Sequence, residues 1–152
     1  MTDPDTTSAP AGCLSLSGRG SAGEEAGMAA TATMYSGTFH GRADQVRQVR
    51  AAVARYLDGC PVADDALLVV SEIASNSILH SESAGEFFTV RCELRPGCVR
   101  VECEDLGGPW QCRQPDGRPH GLDVVEALAD PDNWGTEETS DGDRIVWVRL
   151  SW

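Results

Sequence analysis

Two stretches of strict alternation, residues 88–94 and 99–103, constrain the fold of this chain more than any other feature. Phe88, Val90, Cys92 and Leu94 share one phase, with Thr89, Arg91 and Glu93 on the other. After Pro96-Gly97, Val99, Val101 and Cys103 repeat the apolar phase against Arg100, Glu102 and Glu104. Successive side chains on a strand point to opposite faces, so the pattern predicts a hairpin packed on one face and wet on the other. Arg and Glu on the wet face supply cross-strand pairs. The dry face has to be covered, and helices on one side are the simplest cover.

Those helices are legible. Residues 43–57 place Val46, Val49, Val53, Tyr56 and Leu57 on one stripe, with Arg47, Arg50 and Arg55 on the wet side. Gly59, Cys60 and Pro61 break that helix, and a second spans residues 63–79 with Asp64 and Asp65 in its first turn, where the helix dipole favours anions. A strand over residues 34–40 precedes them. A short helix over 122–129 is stopped by Pro131, a short strand falls near 133–136, and a strand over 144–152 (RIVWVRLSW) closes the chain. The order βαα-ββ-α-(β)β predicts a two-layer α/β sandwich, with helices on one face of a mixed, mostly antiparallel sheet. Trp134, Trp147 and Trp152 are expected in the core or at its edge.

Residues 1–33 are rich in Ser, Thr, Ala, Gly and Pro, with almost no large apolar side chains. Such a segment buries too little to offset its ordering entropy. The expected organisation is a disordered tail over 1–33 and one folded domain over 34–152.

Charge narrows the partners. The net charge is −12, and all 12 basic residues are arginines. Without lysine there is no phosphate loop of the GxxxxGK[ST] type. Duplex nucleic acid and anionic membrane both attract basic surfaces, so neither is expected as a partner, and a protein with a basic face fits better. Six acids lie between Asp130 and Asp143, a solvated loop or a surface for such a partner. The six cysteines (13, 60, 92, 98, 103 and 112) form no CxxC pair and no Cys/His ligand cluster, so they read as reduced, structural thiols of a cytoplasmic protein. No leader pattern and no apolar run of membrane-spanning length is present.

Three short motifs carry chemistry. In the second helix Glu72, Asn76 and His80 lie four residues apart, on one edge. A carboxamide oxygen there suits Mg²⁺, a hard cation with oxygen ligands, and a carboxylate one turn away suits a nucleophile's proton. The strand over 99–104 runs into Asp105-Leu106-Gly107-Gly108. A carboxylate at that point accepts a hydrogen bond from the exocyclic amino group of adenine, where guanine offers a carbonyl; an Asp–Gly turn accounts for the same residues. Gly121-Leu122 opens a helix after the polar stretch 108–120, and free N–H groups at a helix start attract phosphate.

The order and spacing of these pieces resemble the GHKL ATP-binding superfamily, also called the Bergerat fold. SEIASNSILHS, EDLGGPW and GRPHGLDVVEALAD resemble its bacterial anti-sigma factor/serine-protein kinase branch over residues 34–152. The resemblance implies roles. Glu72 matches the general base, Asn76 the Mg²⁺ ligand, Asp105 the adenine-binding aspartate, Gly107 the glycine that admits the base, and Gly121 and Leu122 the second glycine box at the phosphates. His80 ends the first motif with a packing role. The implied cofactors are ATP and Mg²⁺. The implied partners are a sigma factor and a STAS-type anti-anti-sigma protein whose serine receives the γ-phosphate, with a homodimer as the family's assembly. Pro109 and a glycine box thinned to Gly121, with His120 and Asp123 beside it, depart from the family pattern. A second class therefore stays open: a non-catalytic protein that sequesters a regulator over a degenerate nucleotide site.

Overall fold

The computed structural model describes residues 32–108 and 121–152. The expected tail lies almost wholly outside the described residues, as do Pro109 and His120.

The alternating pair forms strands β2 (Phe87–Arg95) and β3 (Cys98–Asp105), joined across the Pro96-Gly97 turn. The first strand is β1 (Thr33–His40), followed by helices α1 (Gln45–Tyr56) and α2 (Ala63–His80). Helix α3 (Gly121–Leu128) leads through a 3-10 turn at Pro131–Asn133 into β4 (Trp134–Glu138) and β5 (Arg144–Ser151). The sheet order is β1-β2-β3-β5-β4, and every pairing is antiparallel. The two-layer α/β sandwich is as expected, but the sheet is antiparallel throughout the described residues rather than mixed.

One face of the sheet carries the core. Phe88, Val90, Cys92, Val99, Val101, Cys103, Val146, Val148 and Leu150 meet Val49, Val53 and Leu57 at α1, Val69, Val70, Ile73 and Ala74 from α2, and Val125 from α3. All of these are buried. Helix α2 sits at the centre, packed on α1, α3 and the sheet. Arg50, exposed on the wet side as expected, donates to the Leu67 carbonyl (3.1 Å) and to the Ser71 hydroxyl, tying α1 to α2.

The opposite face is a charge lattice. Arg91 pairs with Glu104 and, at 3.3 Å, with Glu102, which also pairs with Arg100 at 3.1 Å. Trp147 belongs to this face rather than the core, because the buried phase of β5 is Val146, Val148 and Leu150. The Arg100 guanidinium lies 4.7 Å from its ring centroid, and the ring rests against Gly135. Trp134 does pack on the core, whereas Trp152 is exposed.

Cys60, Cys92 and Cys103 are free thiols, while Cys98 is disulfide-bonded, which corrects the all-reduced expectation at that position. Burial pushes the Cys92 and Cys103 thiols from an ordinary 9.0 up to about 12. In the unfolded chain both ionise at the ordinary value, so the folded state holds protons that the unfolded state releases above pH 9. Stability is then complete below pH 9 and falls as pH rises toward 12. At pH 10 the two thiols together should cost about 2–3 kcal/mol. Urea titrations at pH 8 and pH 10 should show this drop in wild type and most of it gone in Cys92→Ala/Cys103→Ala. Equal drops in both proteins would refute it.

Candidate functional site

The alternation that buries Val99, Val101 and Cys103 continues one step further and buries Asp105, which is 2% exposed. A carboxylate in that position needs partners, and it has three donors. Its Oδ2 accepts from the Ser77 hydroxyl at 2.9 Å and from Arg144 Nη2 at 3.2 Å. Its Oδ1 accepts from the Gly107 backbone N–H at 2.9 Å. The last bond closes an Asx turn, which explains Asp-x-Gly locally without any ligand.

Ser77 is a lone polar side chain on the buried stripe of α2, between Ala74 and Ile78. Its oxygen is also 3.1 Å from Cys103 Sγ and 3.1 Å from the Ile73 carbonyl. A hydroxyl has one hydrogen, and the ionised carboxylate is the stronger acceptor. The Cys103 S–H can then donate to Ser77, giving a short chain from thiol to hydroxyl to carboxylate. Arg144 stands directly opposite Asp105 in the β3–β5 register. Its Nη2 also donates to the carbonyl of His80, the last residue of α2, at 3.3 Å. A cation at a helix C-terminus is favoured by the dipole, so Arg144 binds the end of the helix and the end of the strand together.

Residues 81–86 clasp the strand end from the other side. Ser83 is fully buried, and its oxygen accepts from the Leu106 N–H at 2.9 Å. The Glu82 N–H donates to the Gly107 carbonyl at 2.9 Å. A Cβ on Gly41 would overlap the Ser83 carbonyl, and two backbone bonds, Gly41 to Glu86 (2.8 Å) and Gly85 to Gly41 (2.9 Å), hold that contact. Gly107 has φ +69°, and a Cβ there would overlap the Gly142 carbonyl in the β4–β5 turn. The close approach that this glycine permits within the chain is therefore to a neighbouring turn.

Glu72 and Asn76 are half-buried on α2 and form no side-chain hydrogen bond or ion pair among the described residues. They lie one turn apart, about 6 Å along the axis. Asn76 immediately precedes Ser77, so the helix that carries the pair is bonded to Asp105. Helix α3 begins at Gly121 and packs on α2, with Leu122 half-buried against the core. The elements carrying the three motifs thus meet along α2. The polar stretch leading into Gly121 lies outside the described residues. Hollows elsewhere on the surface, along α1 at Val46 and Arg47 and between Cys60, Pro61 and Trp152, hold none of the candidate residues.

Sequence reasoning did not single out Ser77, Ser83 or Arg144 as site residues. A serine interrupting an apolar helical stripe is a usable signal for Ser77. Arg144 becomes visible only once the β3–β5 register is known.

No family model and no curated protein matches the sequence. Among solved structures, the chain is similar to the crystal structure of the RsbU and RsbW domains of Rv1364c from Mycobacterium tuberculosis. The TM-score is 0.60 at 20% identity, over 78% of this chain and 32% of that one. The likeness is one of fold, and the chain spans about a third of the length of that structure. No helix among the described residues is long and apolar enough to cross a membrane.

Proposed function

We propose that this chain is an ATP-binding regulatory protein of the anti-sigma/serine-kinase type, which transfers the γ-phosphate of ATP to a serine on an anti-anti-sigma partner. The observation that carries the reading is the 2.9 Å bond from Ser77 to Asp105. It fastens the helix bearing Glu72 and Asn76 to the strand-end carboxylate, and so assembles motifs that are 29 positions apart (105 − 76) in the chain. The fold shared with a structure containing an RsbW domain supports the same reading.

The residues present fit Mg²⁺-ATP at the metal end. Glu72 and Asn76 offer oxygen donors of the hard type this cation prefers. Among the described residues no cluster of three or more His, Cys, Asp or Glu could hold a metal unaided, so Asn76 would share the ion with phosphate and water. Bound Mg²⁺-ATP supplies the transferable phosphoryl group and the charge neutralisation that in-line transfer requires. Glu72 orients the incoming serine hydroxyl and takes its proton as the new O–P bond forms and the bond to the β-phosphate oxygen breaks, releasing ADP. Asn76 positions the metal. Asp105 would read the adenine amino group once one of its own donors gives way, and the backbone at the start of α3 would face phosphate.

Asn76→Ala should reduce Mg²⁺-ATP affinity by about tenfold or more with little change in stability. Calorimetry on folded wild type and variant decides this, and equal affinities would remove Asn76 from the metal site.

A second reading has one observation in its favour. Asp105 is almost wholly buried and already has three donors, as expected of a binding protein whose nucleotide site has become structural. Transfer of labelled phosphate from ATP to a serine-bearing partner separates the two readings.

A further inference from the structure

A carboxylate that reads an exocyclic amino group needs an open acceptor, and Asp105 has little to spare. Its two oxygens offer about four lone-pair sites, and three are taken by Ser77, Arg144 and Gly107. The fourth, on Oδ1, is closed to a ligand by burial, the side chain being 1% exposed beneath its neighbours. The three donors differ in how firmly they are fixed. Gly107 donates from backbone that is itself bonded to Glu82, and Ser77 lies on the buried stripe of α2. Arg144 is a long side chain, 14% exposed, reaching across from the first residue of β5. Of the three it has the most rotamers to move through.

We infer that Arg144 sets the base affinity and base selectivity of this site by holding Asp105, so that a purine gains the carboxylate only when the guanidinium leaves Oδ2. The inference rests on the nucleotide reading of Glu72, Asn76 and Asp105. Its consequence for the wild-type protein is specific. While Arg144 stays in place, a nucleoside triphosphate is held through its phosphates and metal, and the base contributes little. Binding is then weak and nearly indifferent to the base. A protein partner that shifts β5 or the end of α2 would release Arg144 from both Asp105 and the His80 carbonyl, and would raise ATP affinity in doing so.

The test is calorimetry of Mg²⁺-ATP and Mg²⁺-GTP on wild type, Arg144→Met and Arg144→Gln, with folding followed by circular dichroism and urea midpoint. Arg144→Met removes the donor, and Arg144→Gln keeps a neutral donor near Asp105 and the end of α2 should the first variant fold poorly. Wild type should bind both triphosphates within about threefold of each other; Arg144→Met should bind ATP about tenfold tighter than wild type and prefer it to GTP by a similar factor, with Arg144→Gln intermediate. A wild type that already prefers ATP by about tenfold overturns the inference, and needs no variant. A folded variant with unchanged ATP affinity overturns it too. Both results leave the nucleotide reading standing. Absence of triphosphate binding in wild type and every folded variant removes the inference and the nucleotide reading together.

Discussion

Asp105→Ala should cost the fold about 3–5 kcal/mol, because it withdraws one partner of a buried ion pair and leaves the other in place. The pair joins Asp105 to Arg144 at 3.2 Å, with side-chain exposures of 1% and 14%. The same substitution takes the carboxylate from the Ser77 hydroxyl, leaving it the Ile73 carbonyl, and strips the Gly107 N–H of its acceptor. Loss therefore spreads to α2, β5 and the Asx turn, rather than stopping at one contact. Asp105→Asn keeps the shape and one carbonyl oxygen, so its cost should be the smaller of the two. Urea denaturation of both variants measures the difference. A loss below about 1 kcal/mol for Asp105→Ala would mean that the pair braces nothing, since even one lost hydrogen bond is worth that much.

Glu72→Gln should leave stability and Mg²⁺-ATP affinity nearly unchanged and reduce phosphate transfer to a partner serine by about 10²–10⁴-fold, the usual contribution of a positioned general base. The side chain is half-buried on α2 and forms no hydrogen bond or ion pair among the described residues, so an isosteric amide disturbs no packing. Proton acceptance is what it removes. Single-turnover transfer with saturating ATP separates the chemical step from binding. Unchanged transfer would dismiss Glu72 as the base. Loss of ATP binding in parallel with transfer would instead assign it to the nucleotide.

The contrast between these two residues follows from their neighbours. Asp105 is embedded in bonds that the protein makes with itself, so any ligand has to compete for it. Glu72 and Asn76 are one turn apart on an edge where the described residues make no such claim on them. If the site works as a nucleotide site, its metal end is ready and its base end is contested.

Most of the layered architecture was legible in one dimension. The period-2 phases of residues 88–94 and 99–103 became β2 and β3, with the expected faces in and out. The 3.6-residue stripe ending in Tyr56 and Leu57 became α1, its buried residues Val49 and Val53 among those named. These signals are local, because side-chain direction depends only on position along a strand or helix. Trp147, expected in the core or at its edge, lies by its phase between buried Val146 and Val148, on the charged face under Arg100.

The candidate site divides along the same line. Glu72 and Asn76 lie one helical turn apart, so their common edge is a property of the sequence, and so is the place of Asp105 at the end of an alternating strand. What holds Asp105 was decided elsewhere. Ser77 meets it because α2 crosses over the end of β3, and Arg144 meets it because β5 pairs with β3 in a register that sets residue 144 opposite residue 105. Gly107 owes its missing side chain to the β4–β5 turn at Gly142. Periodicity sets which way a side chain points; what it points at depends on pairing between segments far apart in the chain, and only the tertiary structure supplies that.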